Sequence, residues 1–228
     1  MLPRFLSDNR NEILAIHGMI SSNDFQPIRY YASRWIASFP DDADVIQLIG
    51  RFPDTMSRTN LQTLSREACT DKSKFRQLFL ATMMWGYGDL GYGPSRTLKA
   101  LDDPDFDKKL ESVFQRVWAG EEDQQLGNFP IKNCKMSFGS KILYAIGLGT
   151  ARKPMLLVLD DNVQKSLRQL YEDSDASESG AAAWKTSGYD WYLRIMDRWA
   201  GELNCRADAL EMFLFKHGQT VDKDWRRD

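Results

Sequence analysis

The chain has 228 residues, with 30 Lys+Arg against 32 Asp+Glu, two His and three Cys, for a formal charge of −2. At roughly 100–200 residues per domain, one compact domain over residues 1–228 is expected, and 43% apolar with 27% charged residues excludes a disordered chain. There is no apolar run of about 18 residues to cross a membrane, Met1–Ser7 lacks a signal-peptide core, and three scattered Cys point to reduced thiols in a cytoplasmic protein.

The first half reads as short helices separated by turn signals. Gln26–Ser38 places Ile28, Tyr31, Trp35 and Ile36 on one helical face. Asp71–Trp85 opens on an Asp cap and carries Phe75, Leu78, Phe79, Thr82 and Met83 at helical spacing. A Gly-rich loop follows at Gly86–Pro94, then a helix at Asp105–Trp118 with Phe106, Leu110, Val113, Phe114 and Val117. After the polar stretch Gly120–Asn128 comes a short helix at Ser137–Leu148. The apolar run Met155–Leu159 is too short to assign by period, and it leads into a helix at Asp161–Tyr171 that opens on acidic residues. Ser174–Gly188 reads as a surface loop with Trp184 as an anchor, and Tyr189–Leu203 and Arg206–Gly218 close the chain as two helices. With no alternating strand pattern and no hairpin signal, the predicted fold class is all-α.

Two His, His17 and His217, and three Cys without a CxxC or HExxH pattern speak against zinc and iron–sulfur sites, so neither a metal nor a cofactor is expected. Working groups should then be carboxylates, lysines or hydroxyls. The charge is unevenly spread: residues 131–170 carry +5 and the remainder −7. A basic face on an acidic chain fits contact with nucleic acid.

Within that basic stretch, Phe138-Gly139-Ser140-Lys141 is followed nineteen residues later by Asp160, directly after the apolar run. Near the other end, Glu211 and Phe215 stand four apart, on one face of the last helix. These two segments, with a looser likeness at Trp85-Gly86-Tyr87-Gly88, resemble the helix-hairpin-helix (HhH-GPD) DNA glycosylase superfamily, and specifically its 8-oxoguanine DNA glycosylase branch. The superfamily hairpin usually reads Leu-Pro-Gly-Val-Gly; here Met136-Ser137-Phe138-Gly139 retains only the last Gly.

The resemblance implies a two-lobed helical fold with the catalytic segment at about 131–170, and double-stranded DNA containing a modified base as partner. It implies Lys141 and Asp160 as catalytic, and Glu211, Phe215, Trp85 and Gly86 as the base pocket. Lys135, Gly139 and Ser140 would contact DNA, Gly139 allowing a phosphate to approach the helix N-terminus. Asp161 competes with Asp160 for the acidic role. A monomer is expected.

The chemistry follows from the residue types. A carboxylate beside C1′ stabilises positive charge developing on the sugar. A neutral amine attacking C1′ forms a Schiff base and permits β-elimination, adding AP-lyase activity. A ring stacks on the flipped base while a polar group meets its edge. The implied substrate is oxidised guanine, for base excision repair, or glucosylated hydroxymethylcytosine, in antiviral defence, with Gly86, Gly88, Gly91 and Gly93 supplying room. Two other readings remain: a helical DNA-binding protein without activity, or a Mg-dependent phosphoryl-transfer enzyme using Asp160 and Asp161. The second would need several apolar strands, and only Met155–Leu159 qualifies.

Overall fold

The computed structural model of the chain describes residues 2–20, 25–121, 126–172 and 188–221. Among the described residues the fold is all-α, with twelve α-helices and a single antiparallel pairing of two-residue strands, β1 (Ile28–Arg29) and β2 (Thr55–Met56). The helices are α1 (Arg4–Asp8), α2 (Arg10–Ile20), α3 (Ala32–Ser38), α4 (Ala43–Arg51), α5 (Arg58–Thr70) and α6 (Phe75–Tyr87). They continue as α7 (Gly93–Leu101), α8 (Phe106–Ala119), α9 (Met136–Gly147), α10 (Asp161–Glu172), α11 (Gly188–Leu203) and α12 (Ala207–Thr220). The expected loop at 174–188 and its anchor Trp184 lie outside the described residues, apart from Gly188, which opens α11.

Helix α6 is the axis of the N-terminal part. An amphipathic stripe was expected, yet nearly every residue from Phe75 to Tyr87 is buried, because α4, α5, α7, α8 and α9 all pack against it. A helix apolar all round is a core helix. It begins at Phe75 rather than Asp71: the Asp71 carboxylate accepts from Ser73 N–H and starts a separate 3-10 turn at Lys72–Lys74.

The predicted helix at Gln26–Ser38 is corrected. Ile28 and Arg29 pair with Met56 and Thr55, and α3 starts only at Ala32. Of the expected face, Trp35 is buried, whereas Tyr31 and Ile36 are 52% and 44% exposed. The helical period there includes two exposed apolar residues, Tyr31 and Ile36, that the core does not use.

Helix α8 ends at Gly120, whose φ of +73° is the left-handed cap conformation that a glycine adopts without strain. The chain then returns to start α9 at Met136, earlier than the expected Ser137. The stretch Met136–Gly139, matched above to the superfamily hairpin, therefore lies inside the first helical turn. Lys141 is the sixth residue of α9 and not at its start, so the favourable end of the helix dipole, which acts over the first turn, does not serve it.

Helix α12 packs on α2, α10 and α11, and α10 is its most extensive partner. Gly218 permits that approach: a Cβ there would sit 1.9 Å from the Asn162 carbonyl oxygen. This contact brings the C-terminal helix against the start of α10, beside Asp160. Both histidines take structural roles here. His17 Nδ1 accepts from the Arg206 N–H, and His217 Nδ1 meets Ser166 Oγ at 3.2 Å.

Candidate active site

The segment 155–160 is neither strand nor helix. It is a buried irregular run with Leu156, Leu157, Val158 and Leu159 at 0–2% exposure. Buried backbone polar groups need partners, and without a sheet they find side chains. Tyr189 Oη donates to the Leu157 carbonyl and accepts from its N–H, Tyr192 Oη donates to the Val158 carbonyl, and Ser140 Oγ accepts from Leu159 N–H at 2.9 Å. The last bond spans nineteen positions. One residue further along both segments, Lys141 Nζ donates to Asp160 Oδ2 at 3.2 Å. The motif spacing thus has a mechanical meaning: Ser140 holds the register that lands Asp160 on Lys141.

Asp160 divides its carboxylate. Oδ1 accepts from Asn162 N–H and Val163 N–H, capping α10, while Oδ2 meets Lys141. Asp161, the competitor, is exposed at the first helical position. Lys141 is 8% exposed, and its Nζ also donates to Ser137 Oγ at 3.1 Å and lies 5.5 Å from the Phe138 ring centre. Phe138 is stacked at 4.2 Å on Tyr87 of α6.

Lys141 and Asp160 line a cavity of about 360 Å³ whose wall also includes Trp85, Gly86, Gly88, Gln26, Arg58, Glu211 and Phe215. The catalytic and base-pocket residues expected from the sequence are thus brought together. Trp85 is 5% exposed, and its indole Nε1 is buried without a hydrogen-bond partner. Gly86 lies at the tightest point: a Cβ there would stand 2.8 Å from Phe138 Cε1 and 3.1 Å from Lys141 Cδ. Gly86→Ala should therefore displace the lysine stem. The Phe138 ring must shift and the stem give by a few tenths of an ångström, so base release should slow and overpacking should cost about 1–3 kcal/mol of stability, read by kinetics and thermal denaturation.

Three expectations are corrected. Gly139 and Ser140 are turned inward, away from the surface at which they were expected to meet DNA. A Cβ on Gly139 would meet Phe129 at 2.9 Å and Leu126 at 3.0 Å, and Ser140 is fully buried, its Oγ donating to the Ser137 carbonyl. Their small size serves packing and register. Lys135, in contrast, is exposed at the N-cap of α9.

Glu211 is also not a free acceptor. It is 0% exposed, and Oε1 and Oε2 accept from Arg58 Nη2 and Nη1 at 2.9 and 2.8 Å. Burial pushes the Glu211 carboxyl upward while Arg58 pulls it down. Burial opposes the Arg58 charge, but Glu211, together with Tyr144 and Asp208, holds the guanidinium above its ordinary value. Arg58 also lies 5.2 Å from the Trp85 ring centre and 4.7 Å from Tyr144, and its Nε donates to Gln26 Oε1. Gln26 is held at φ +53°, an uncommon conformation for a non-glycine residue.

Finally, the glycines do not make room. Only Gly86 and Gly88 reach the cavity, and a Cβ on Gly88 would be 2.7 Å from Ile28 Cγ2. Gly91 packs on Arg34 and Gly93 on Tyr87.

Sequence reasoning missed Arg58, Gln26 and Ser137. Arg58 stands 153 residues from Glu211, so no local pattern joins them. The neighbouring capping box between Ser57 and Asn60 announces α5 but not what its first residue faces. Ser137 does carry a signal, its i, i+4 spacing to Lys141.

A family model described as "Putative 8-oxoguanine DNA glycosylase OGG-like protein" matches residues 22–215. No curated protein and no solved structure matches the chain. The match takes in Lys141, Asp160, Glu211 and Phe215, and the chain belongs to this OGG-like family.

Proposed function

We propose that this member of the OGG-like family is a DNA glycosylase, acting on a modified base flipped out of double-stranded DNA into the Lys141–Asp160 cavity. The observation that carries the reading is the buried Nζ–Oδ2 contact of 3.2 Å at the wall of that cavity. Asp160 keeps its charge beside the sugar and stabilises the oxocarbenium-like transition state. Lys141, once neutral, attacks C1′ as the base departs with the glycosidic electron pair. The opened sugar then forms a Schiff base, from which the 3′ phosphate is eliminated. Phe215, half-buried in the wall, stacks on the base. Lys135 and the uncapped N-terminus of α9 hold a DNA phosphate.

Oxidised guanine is the favoured base. With Glu211 committed to Arg58, the Gln26 amide, whose oxygen already accepts from Arg58, keeps its N–H donors for a base, on a wall it shares with Asp89 and Gln219. Donors suit the carbonyl oxygens of an oxidised purine. The room that a glucosylated cytosine needs was to come from the glycines, and these are filled by neighbouring side chains instead.

The test is base release and borohydride trapping on duplexes carrying 8-oxoguanine, glucosylated hydroxymethylcytosine or no modification. Release from the 8-oxoguanine duplex with a covalent adduct lost in Lys141→Gln is the expected result. Inactivity on all three would overturn the glycosylase reading, and release from the glucosylated duplex alone would move the role to antiviral defence.

A further inference from the structure

Lys141 is held as an ion pair, and an ammonium has no lone pair with which to attack carbon. The nitrogen must release a proton before it acts, and two groups touch it: Asp160 Oδ2 at 3.2 Å and Ser137 Oγ at 3.1 Å. Asp160 is the unsuitable acceptor. Protonating it would remove the negative charge that steadies the developing positive charge on the sugar. The Phe138 ring, the third neighbour, accepts no proton. Ser137 lies one helical turn before Lys141 on the same face of α9. It is partly exposed, whereas Lys141 and Asp160 are each 8% exposed.

We propose that Ser137 is the proton outlet of Lys141, joining the buried nitrogen to solvent. The inference rests on the glycosylase-lyase reading above and adds a catalytic residue to it. The Nζ–H bond breaks and an Oγ–H bond forms, while the hydroxyl's own proton passes to a solvent water. Ammonium and water become amine and hydronium, and Ser137 ends unchanged. Asp160 remains ionised throughout. The other ionisable groups on the cavity wall are the Arg58–Glu211 pair from α5 and α12, Tyr87 of α6, and Asp89 in the loop after it. None of these is bonded to the nitrogen.

Ser137→Ala and Ser137→Thr separate this role from a structural one, because Thr keeps the hydroxyl. Single-turnover borohydride trapping is followed from about pH 6 to 9 on whichever duplex the wild-type chain processes, alongside melting temperatures. The Ala variant should form the adduct more slowly, by on the order of 10²-fold at neutral pH, the usual scale of a lost general-base step. Its deficit should shrink as pH rises and hydroxide takes over as acceptor. The Thr variant should stay within a few-fold of wild type.

Equal rates for wild type and Ser137→Ala would overturn the outlet, as would equal losses in the Ala and Thr variants. Base release by the wild-type chain without any trapping would overturn it too, while leaving a plain glycosylase. A wild-type chain that releases no base overturns the reading beneath it.

Discussion

Replacing Asp160 should lower base release on the order of 10²–10³-fold, the usual cost of losing a preorganised electrostatic partner at the reacting centre. The two oxygens of this carboxylate have different tasks, so two substitutions separate them. Asp160→Asn keeps an oxygen for Asn162 N–H and Val163 N–H and hence the cap of α10, but it removes the charge facing Lys141. Asp160→Ala removes both, and an N-cap lost to Ala costs about 1 kcal/mol in addition. Both variants should therefore show that loss of rate, with the Ala variant melting at the lower temperature. Base-release kinetics and thermal denaturation of the pair check this. Asp161→Asn is the control, and it should retain activity because its side chain is exposed on the outer side of the first turn. Full activity in Asp160→Asn with loss in Asp161→Asn would transfer the catalytic assignment to the neighbour.

The second large effect concerns Arg58. Its side chain and that of Glu211 are 3% and 1% exposed. Removing one partner leaves a charge in the core with nothing to answer it, which costs about 3–5 kcal/mol. Arg58→Met should thus lower the unfolding free energy by that amount, and Arg58→Met combined with Glu211→Leu should recover much of it. The single variant also has a distinctive pH dependence. Burial already lifts the Glu211 carboxyl, and without Arg58 nothing in the pair pulls it back. A carboxyl whose native pKa is raised binds a proton more tightly folded than unfolded. Stability of Arg58→Met should therefore rise as pH falls toward the unfolded Glu value of about 4.3. Denaturant titrations of the variant at neutral and mildly acidic pH measure that slope. A flat profile with wild-type stability would return Glu211 to the role of a free acceptor for the base.

These expectations show where pattern reading succeeds. The pairing of Lys141 with Asp160 is legible because both sit in short segments whose register one further residue, Ser140, enforces. The helices with apolar stripes, α8 and α11 among them, are legible because burial on one face imposes the 3.6-residue period. The same logic misplaces α3 and underestimates α6. At α3 the period includes Tyr31 and Ile36, which face solvent, and at α6 five neighbouring helices erase the period by covering every side. Periodicity reports how many sides of a helix are wet, and that number is set by its neighbours.

The site divides along the same line. The amino-acid order determines the all-α class, the basic stretch at 131–170, the FGSK segment with Asp160 nineteen residues on, and the Glu211–Phe215 face. Each of these is a local or fixed-interval relation, and such relations survive in one dimension. Packing decides what each group faces. It turns Gly139 and Ser140 inward, fills the space beside Gly86 and Gly88, sets Lys141 in the second turn of α9, and gives Glu211 to Arg58 across 153 residues. A buried carboxylate requires a countercharge, but the chain order does not name which of its many cations will answer. Only the docking of α12 and α5 around one cavity does.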